Sequence, residues 1–206
     1  MGILGVRVDT APSTGFCYLA TYHNLAEDKT DYAWGYVSQE KAVVGQKGTV
    51  IRRKHQWGVD KKLALLDCAL IQLSTQYQSM IAPGLYQGAG SSSLTVRGTN
   101  LATPGTIAKK YGMTTGLTYG RVINLPSDID KSCATHIFAA ERCDSNGYPM
   151  SGDFCRTGDS GAPVIDMSGY VLGLVVQGRG YDGGTLGLIN RIDQIQAALD
   201  VTLHAD

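Results

Sequence analysis

Glycine cuts this chain into short apolar runs, and that pattern restricts it to a fold of short strands and tight turns. Twenty-six of 206 residues are glycine, well above the usual share of about 7%. Charged residues are 17% of the chain, which leaves little material for the polar faces of long amphipathic helices. A chain of this length buries a sizeable core as one all-β domain or as two small units sharing a core. The most hydrophobic run is residues 63–73, and Asp67 is its only charge. A carboxylate inside such a run costs several kcal/mol unless something hydrogen-bonds to it. One role that fits is holding an imidazole in a chosen tautomer; the other is a loop aspartate between two shorter strands.

Taken in order, residues 5–8 and 16–21 read as strands joined by a hairpin turn containing Pro12 and Gly15. His23 follows the second run, where the chain leaves the core. An imidazole there either points into a cleft or is an ordinary surface or core histidine. Strand-like pieces follow at residues 31–37, 42–45 and 48–51. The basic cluster Arg52-Arg53-Lys54-His55 reads as a solvated strand end or loop. Between residues 86 and 105 the composition shifts to Gly, Ser, Thr and Asn, as in a connection between two halves. Residues 105–112 and 117–125 flank a Thr-Thr-Gly turn and predict a hairpin, and short strands are predicted at 135–139, 170–178 and 186–189. Apolar residues spaced i, i+3 and i+7 over 192–199 predict one amphipathic helix packed on the second half.

The stretch with the most chemistry in it is Gly158-Asp159-Ser160-Gly161, followed by the strand-like Ala162-Pro163-Val164-Ile165. A hydroxyl between glycines on a tight turn is exposed to an incoming carbonyl. The backbone N–H groups of Gly158 and Ser160 are placed to converge on the oxygen that becomes negative during acyl transfer. Without a base and an orienting carboxylate elsewhere, the same four residues are an ordinary turn.

Eighteen Lys and Arg balance eighteen Asp and Glu, so no overall field recruits nucleic acid or an anionic membrane. No apolar stretch approaches the roughly 18 residues of a membrane helix. The first residues show neither the charged region nor the long apolar region of a signal peptide. The five cysteines are an odd set without metal-ligand spacing. They predict a reduced, cytoplasmic chain with no metal, or a secreted one if a leader has been trimmed. Pairing of Cys133 with Cys143, or of Cys143 with Cys155, stays open.

These pieces together resemble the chymotrypsin-like serine peptidases, particularly bacterial members of the α-lytic protease type. The resemblance rests on Thr-Gly-Phe followed by Leu-Ala-Thr-Tyr-His-Asn-Leu, Asp-Cys-Ala-Leu, Thr-Thr-Gly-Leu-Thr-Tyr-Gly and Gly-Asp-Ser-Gly, in that order. His23 and Asp67 stand 44 positions apart and Asp67 and Ser160 stand 93 apart, spacings similar to the family's. His55 lies only 12 positions before Asp67, and His136 and His204 follow it. The resemblance implies an all-β fold of two packed six-stranded antiparallel barrels with a C-terminal helix. It divides the chain into residues 1–86 with His23 and Asp67, a connection at 87–105, and residues 106–206 with Ser160. It further implies a Ser160, His23 and Asp67 triad, an oxyanion hole at Gly158 and Ser160, no cofactor, and a peptide or protein substrate; a monomer is expected, with an oligomer left open. Phe154, Cys155, Thr157, Val175, Val176, Gln177 and Gly178 would wall the primary pocket. Phe154 stands where an acidic residue would select Lys or Arg, so an apolar substrate residue is expected.

The chain departs from the family in three places. Ala-Thr-Tyr precedes His23, no cysteine follows it, and no activation sequence is evident. Two other readings remain: a peptide-binding module on the same fold that does not turn over, and a self-processing domain of a larger polyprotein.

Overall fold

The computed structural model describes residues 7–9, 17–24, 32–34, 46–58, 63–73, 85, 94–181 and 183–205. The expected turn at 11–15, the strand at 42–45 and the run from Gly88 to Ser93 lie outside them. In chain order the strands are β1 (Arg7–Asp9), β2 (Cys17–Ala20), β3 (Tyr32–Trp34), β4 (Gln46–Trp57), β5 (Ala64–Leu73), β6 (Gly98–Thr99) and β7 (Ile107–Gly112). They continue as β8 (Gly116–Ile123), β9 (Ile137–Cys143), β10 (Gly152–Asp153), β11 (Pro163–Asp166), β12 (Tyr170–Tyr181), β13 (Gly184–Arg191) and β14 (Thr202–Leu203). Among the described residues, an α-helix, α1 (Ile192–Leu199), separates β13 from β14, and 3-10 turns occupy Tyr22–Asn24 and Lys131–Thr135.

The strands form two sheets. The first has the order β14-β1-β2-β5-β4-β3; in the second, β13, β9, β8, β7, β11 and β12 pair in a ring that closes through β12 and β13. The second sheet is thus a closed six-stranded barrel. Among the described residues no pairing closes the first sheet, so the expected pair of barrels is found as one closed barrel and one six-stranded sheet. Nor is the pairing wholly antiparallel, because β6 runs parallel to β12 and β10 parallel to β13 along the rim.

β5 is apolar but for Asp67 and Gln72, as suits a strand covered on both faces. Leu66, Cys68 and Leu70 enter a core shared with Leu174, Ile192, Ile195 and Leu199. Ala69 and Ile71 face Tyr18, Ala20 and Val50. β7 instead alternates half-buried and buried positions, which turns Ala108, Lys110 and Gly112 to the inside. Its hairpin with β8 pairs Gly112 with Gly116, as the Thr-Thr-Gly turn predicted.

One expectation needs correction. Helix α1 packs between the sheets and not on the second half alone: Ile192, Ile195 and Leu199 share one core with residues of β2, β5 and β12. Each buries an aliphatic side chain worth about 2 kcal/mol, so the helix joins the halves. The basic cluster at 52–55 lies towards the end of β4 with Arg53, Lys54 and His55 exposed, so of its two readings the solvated strand holds and the loop does not. Arg52 donates to the carbonyls of Leu199 and Asp200 at 2.7 and 2.8 Å, so it caps the helix C-terminus, where a cation is favoured. Asp200 then adopts a left-handed φ of 51°, which returns the chain to pair β14 with β1.

Candidate active site

β2 stops at Ala20 and the chain coils once through Tyr22–Asn24, which carries His23 past the end of the strand. The backbone N–H of His23 donates to Asp67 Oδ1 at 3.0 Å, and its Nδ1 bonds Asp67 Oδ2. Asp67 is 2% exposed and the His23 side chain 38%. The carboxylate buried in the most apolar strand therefore finds its donors in the turn that carries the imidazole, which offsets its desolvation. An ionised carboxylate only accepts hydrogen bonds, so Nδ1 is the protonated ring nitrogen and Nε2 is left as the acceptor. His55 and His136 are occupied differently. His55 is the register partner of Asp67 across β4 and β5, but its ring packs against Tyr22 and Trp57, centroids 5.8 and 4.9 Å away. His136 bonds the Thr135 hydroxyl at 2.7 Å.

Ser160 lies on the loop between β10 and β11, half-buried, with Oγ 3.5 Å from the Val176 carbonyl. Gly158 and Gly161 have φ of 99° and 88°, a region that glycine enters without strain. The loop is closed by Asp159 N–H to Arg156 O and Ala162 N–H to Asp159 O, both at 3.0 Å, and is tied to β12 by Gly161 N–H to Val175 O at 2.8 Å. A side chain at Gly158 would fall on the Thr114 hydroxyl as well as strain the backbone.

Asp159 holds the loop from beneath. It is fully buried, with Lys110 Nζ 3.3 Å from its Oδ2 and equally buried. Its Oδ1 accepts from the N–H groups of Thr114 and Thr115 at 2.8 and 3.2 Å, and its Oδ2 from the Thr115 hydroxyl at 2.7 Å and the Arg156 N–H at 2.9 Å. The Thr114 hydroxyl reaches across to Thr157 O at 2.7 Å. The β7–β8 turn and the Gly-Asp-Ser-Gly loop are thus one hydrogen-bonded unit. Sequence reasoning found the turn but not its purpose, and missed Lys110, whose inward parity on β7 was the available signal.

Burial pushes the Asp159 carboxyl up, but the Lys110 ammonium and the hydrogen bonds from Arg156, Thr115 and Thr114 outweigh it and hold it below 3.8, its ordinary value. The unfolded chain therefore protonates this group first on acidification. The stabilisation is complete above 3.8 and is lost as pH falls through the lower folded value. Melting scans between about pH 5 and 2 should show a shallower acid loss of Tm in the double variant Lys110→Met with Asp159→Asn than in the parent.

The expected pocket residues separate into two groups. Phe154 and Cys155 are fully buried, and Val175 and Val176 are 1% and 5% exposed. Phe154 is clamped between Gly120 and Gly187, where an added Cβ would lie 2.6 and 2.5 Å from its ring, and Lys110 Nζ sits 5.6 Å from the ring centroid. These four side chains are core packing, whereas Thr157 and Gly178 are exposed and Gln177 is half-buried. All five cysteines are free and buried. Burial pushes the Cys68 and Cys155 thiols up to about 12. The native protein should react slowly with a thiol-specific disulfide reagent and release five equivalents on denaturation; a fast equivalent before unfolding would contradict this burial.

The family model described as Trypsin matches residues 17–199. The fold is similar to that of Nocardiopsis protease, with a TM-score of 0.66 at 15% identity, covering 99% of this chain and 93% of that one. Thermobifida fusca protease A aligns with a TM-score of 0.62 at 15% identity over 98% and 91% of the two chains. Cellulomonas bogoriensis chymotrypsin gives 0.62 at 16% over 100% and 91%. No curated protein sequence matches the chain. A closed barrel and a second sheet, with an imidazole and carboxylate on one and a Gly-Asp-Ser-Gly loop on the other, make this a chymotrypsin-like serine protease fold. The chain belongs to the trypsin family.

Proposed function

We propose that the protein is a serine endopeptidase in which Ser160, His23 and Asp67 act together through an acyl-enzyme. The observation that carries this reading is the bonding of both donors of His23, backbone N–H and ring Nδ1, to the two oxygens of buried Asp67. Asp67 fixes the tautomer that leaves His23 Nε2 as a base. Nε2 takes the Ser160 hydroxyl proton as Oγ attacks the carbonyl carbon of a peptide. The N–H groups of Gly158 and Ser160 stabilise the oxyanion, and the proton passes to the leaving amine. Water repeats the sequence on the ester and regenerates Ser160.

The histidine and aspartate come from the unit at residues 1–86 and the serine from that at 106–206, joined by 87–105. The site therefore depends on docking of the two. A peptide substrate lies along Thr157, Gln177 and Gly178, with an apolar residue in the primary pocket. The test is appearance of new peptide N-termini from an unfolded protein substrate, read by mass spectrometry, with the parent and with Ser160→Ala. Cleavage by the parent alone supports the reading. No cleavage by the folded parent, or equal cleavage by both, overturns it.

A further inference from the structure

We infer that Asn190, on β13 of the barrel, is the positioning residue that sets Asp67 and, through it, His23. The inference rests on the peptidase reading above. It starts from a gap in the first sheet. β2 pairs with β5 only from Cys17–Gln72 to Ala20–Ala69 and then turns aside to present His23. On the other side β4 continues, pairing His55 with Asp67 and Trp57 with Ala64. The β5 backbone around Asp67 thus loses its β2 partner just where the chain must hold a buried carboxylate still. Unpaired peptide groups there would each cost a desolvation penalty of about 1–3 kcal/mol.

The Asn190 carboxamide fills the gap. Its Oδ1 accepts the Asp67 N–H at 2.8 Å, and its Nδ2 donates to Leu65 O at 2.7 Å and more weakly to Ala64 O at 3.5 Å. One C=O and one N–H presented side by side to Leu65 O and Asp67 N–H reproduce what a neighbouring strand's backbone would offer. Exchanging the amide O and N would set donor against donor and acceptor against acceptor, so the orientation is determined. Asn190 is itself fully buried and rigidly placed, its backbone paired with Leu174 on β12 and Ile137 on β9. A side chain of the closed barrel therefore holds the backbone of the residue whose carboxylate holds His23. Docking of the sheets and alignment of the imidazole are one event.

Asn190→Ala removes the carboxamide, and Asn190→Leu removes it while retaining similar volume. Both should lower kcat by about 100-fold with KM within about twofold, the cost of displacing a catalytic group by about an ångström. Both should also shift or abolish the low-field proton NMR signal of His23 Nδ1–H. That signal is read without turnover, so it tests the positioning role even where the parent cleaves nothing. A lower Tm with an unchanged His23 signal and unchanged kcat would reduce Asn190 to a packing residue and overturn the inference. Where neither variant folds, the parent decides: Asn190 side-chain amide protons exchanging as fast as those of an exposed asparagine would overturn it, and strong protection supports it.

Discussion

A Ser160→Ala variant should fold as the parent does and hydrolyse peptides about a millionfold more slowly, as when the nucleophile of a concerted trio is removed. The change deletes one oxygen from a half-buried side chain, whose bond to Val176 O at 3.5 Å is long. A change this small is expected to alter stability little. The loop keeps its shape because its closing bonds come from backbone groups of Arg156, Asp159 and Ala162. Substrate affinity should change little, since Gly158 and the β12 edge remain. Combining it with His23→Ala should cost little more than either change alone, because each interrupts the same proton transfer. Equal Tm, near-equal binding of an uncleaved peptide and a residual kcat about 1,000-fold above the uncatalysed rate, from oxyanion stabilisation and binding alone, are the expected measurements.

The second large effect is on stability. Lys110→Met should lower it by about 3 kcal/mol, the low end of the range for unpairing a buried charge, because four other donors still surround Asp159. For a domain of this size that is a Tm decrease of about 10 °C. Burial pushes Lys110 below its ordinary value, and the charge and hydrogen bond of Asp159 offset this only in part, so the lysine itself pays desolvation. Methionine fills the same space beside Phe154 without that cost. Adding Asp159→Asn should restore only part of the loss. The neutral amide has one acceptor oxygen where the carboxylate uses two, so it cannot serve Thr114, Thr115 and Arg156 together. Activity should fall in both variants, since the loop from Arg156 to Ser160 takes its shape from these bonds.

Local patterning made much of the fold legible. The β7–β8 hairpin followed from Thr-Thr-Gly between apolar runs, and α1 from the spacing of Ile192, Ile195 and Leu199. The isolated charge of Asp67 called for a buried donor, and His23 supplies two. What stayed hidden depends on contacts between distant segments. Asn190 reads in sequence as one polar residue after a strand; its meaning appears only when Leu65 and Asp67 lie beside it. Lys110 resembles any surface lysine until the parity of β7 turns it inward. β14 is two residues long and pairs with the opposite end of the chain. Helix periodicity told which face of α1 is apolar but not that Leu66 and Leu70 of the first sheet cover it.

The measurement that tests the central claim most directly is intact-protein mass after exposure to a fluorophosphonate, which esterifies a serine only when a neighbouring base activates it. The account predicts a single adduct on the parent, mapped to Ser160, and none on Ser160→Ala or His23→Ala. A folded parent that takes up no probe, or an adduct that persists in His23→Ala at the parent's rate, would contradict it.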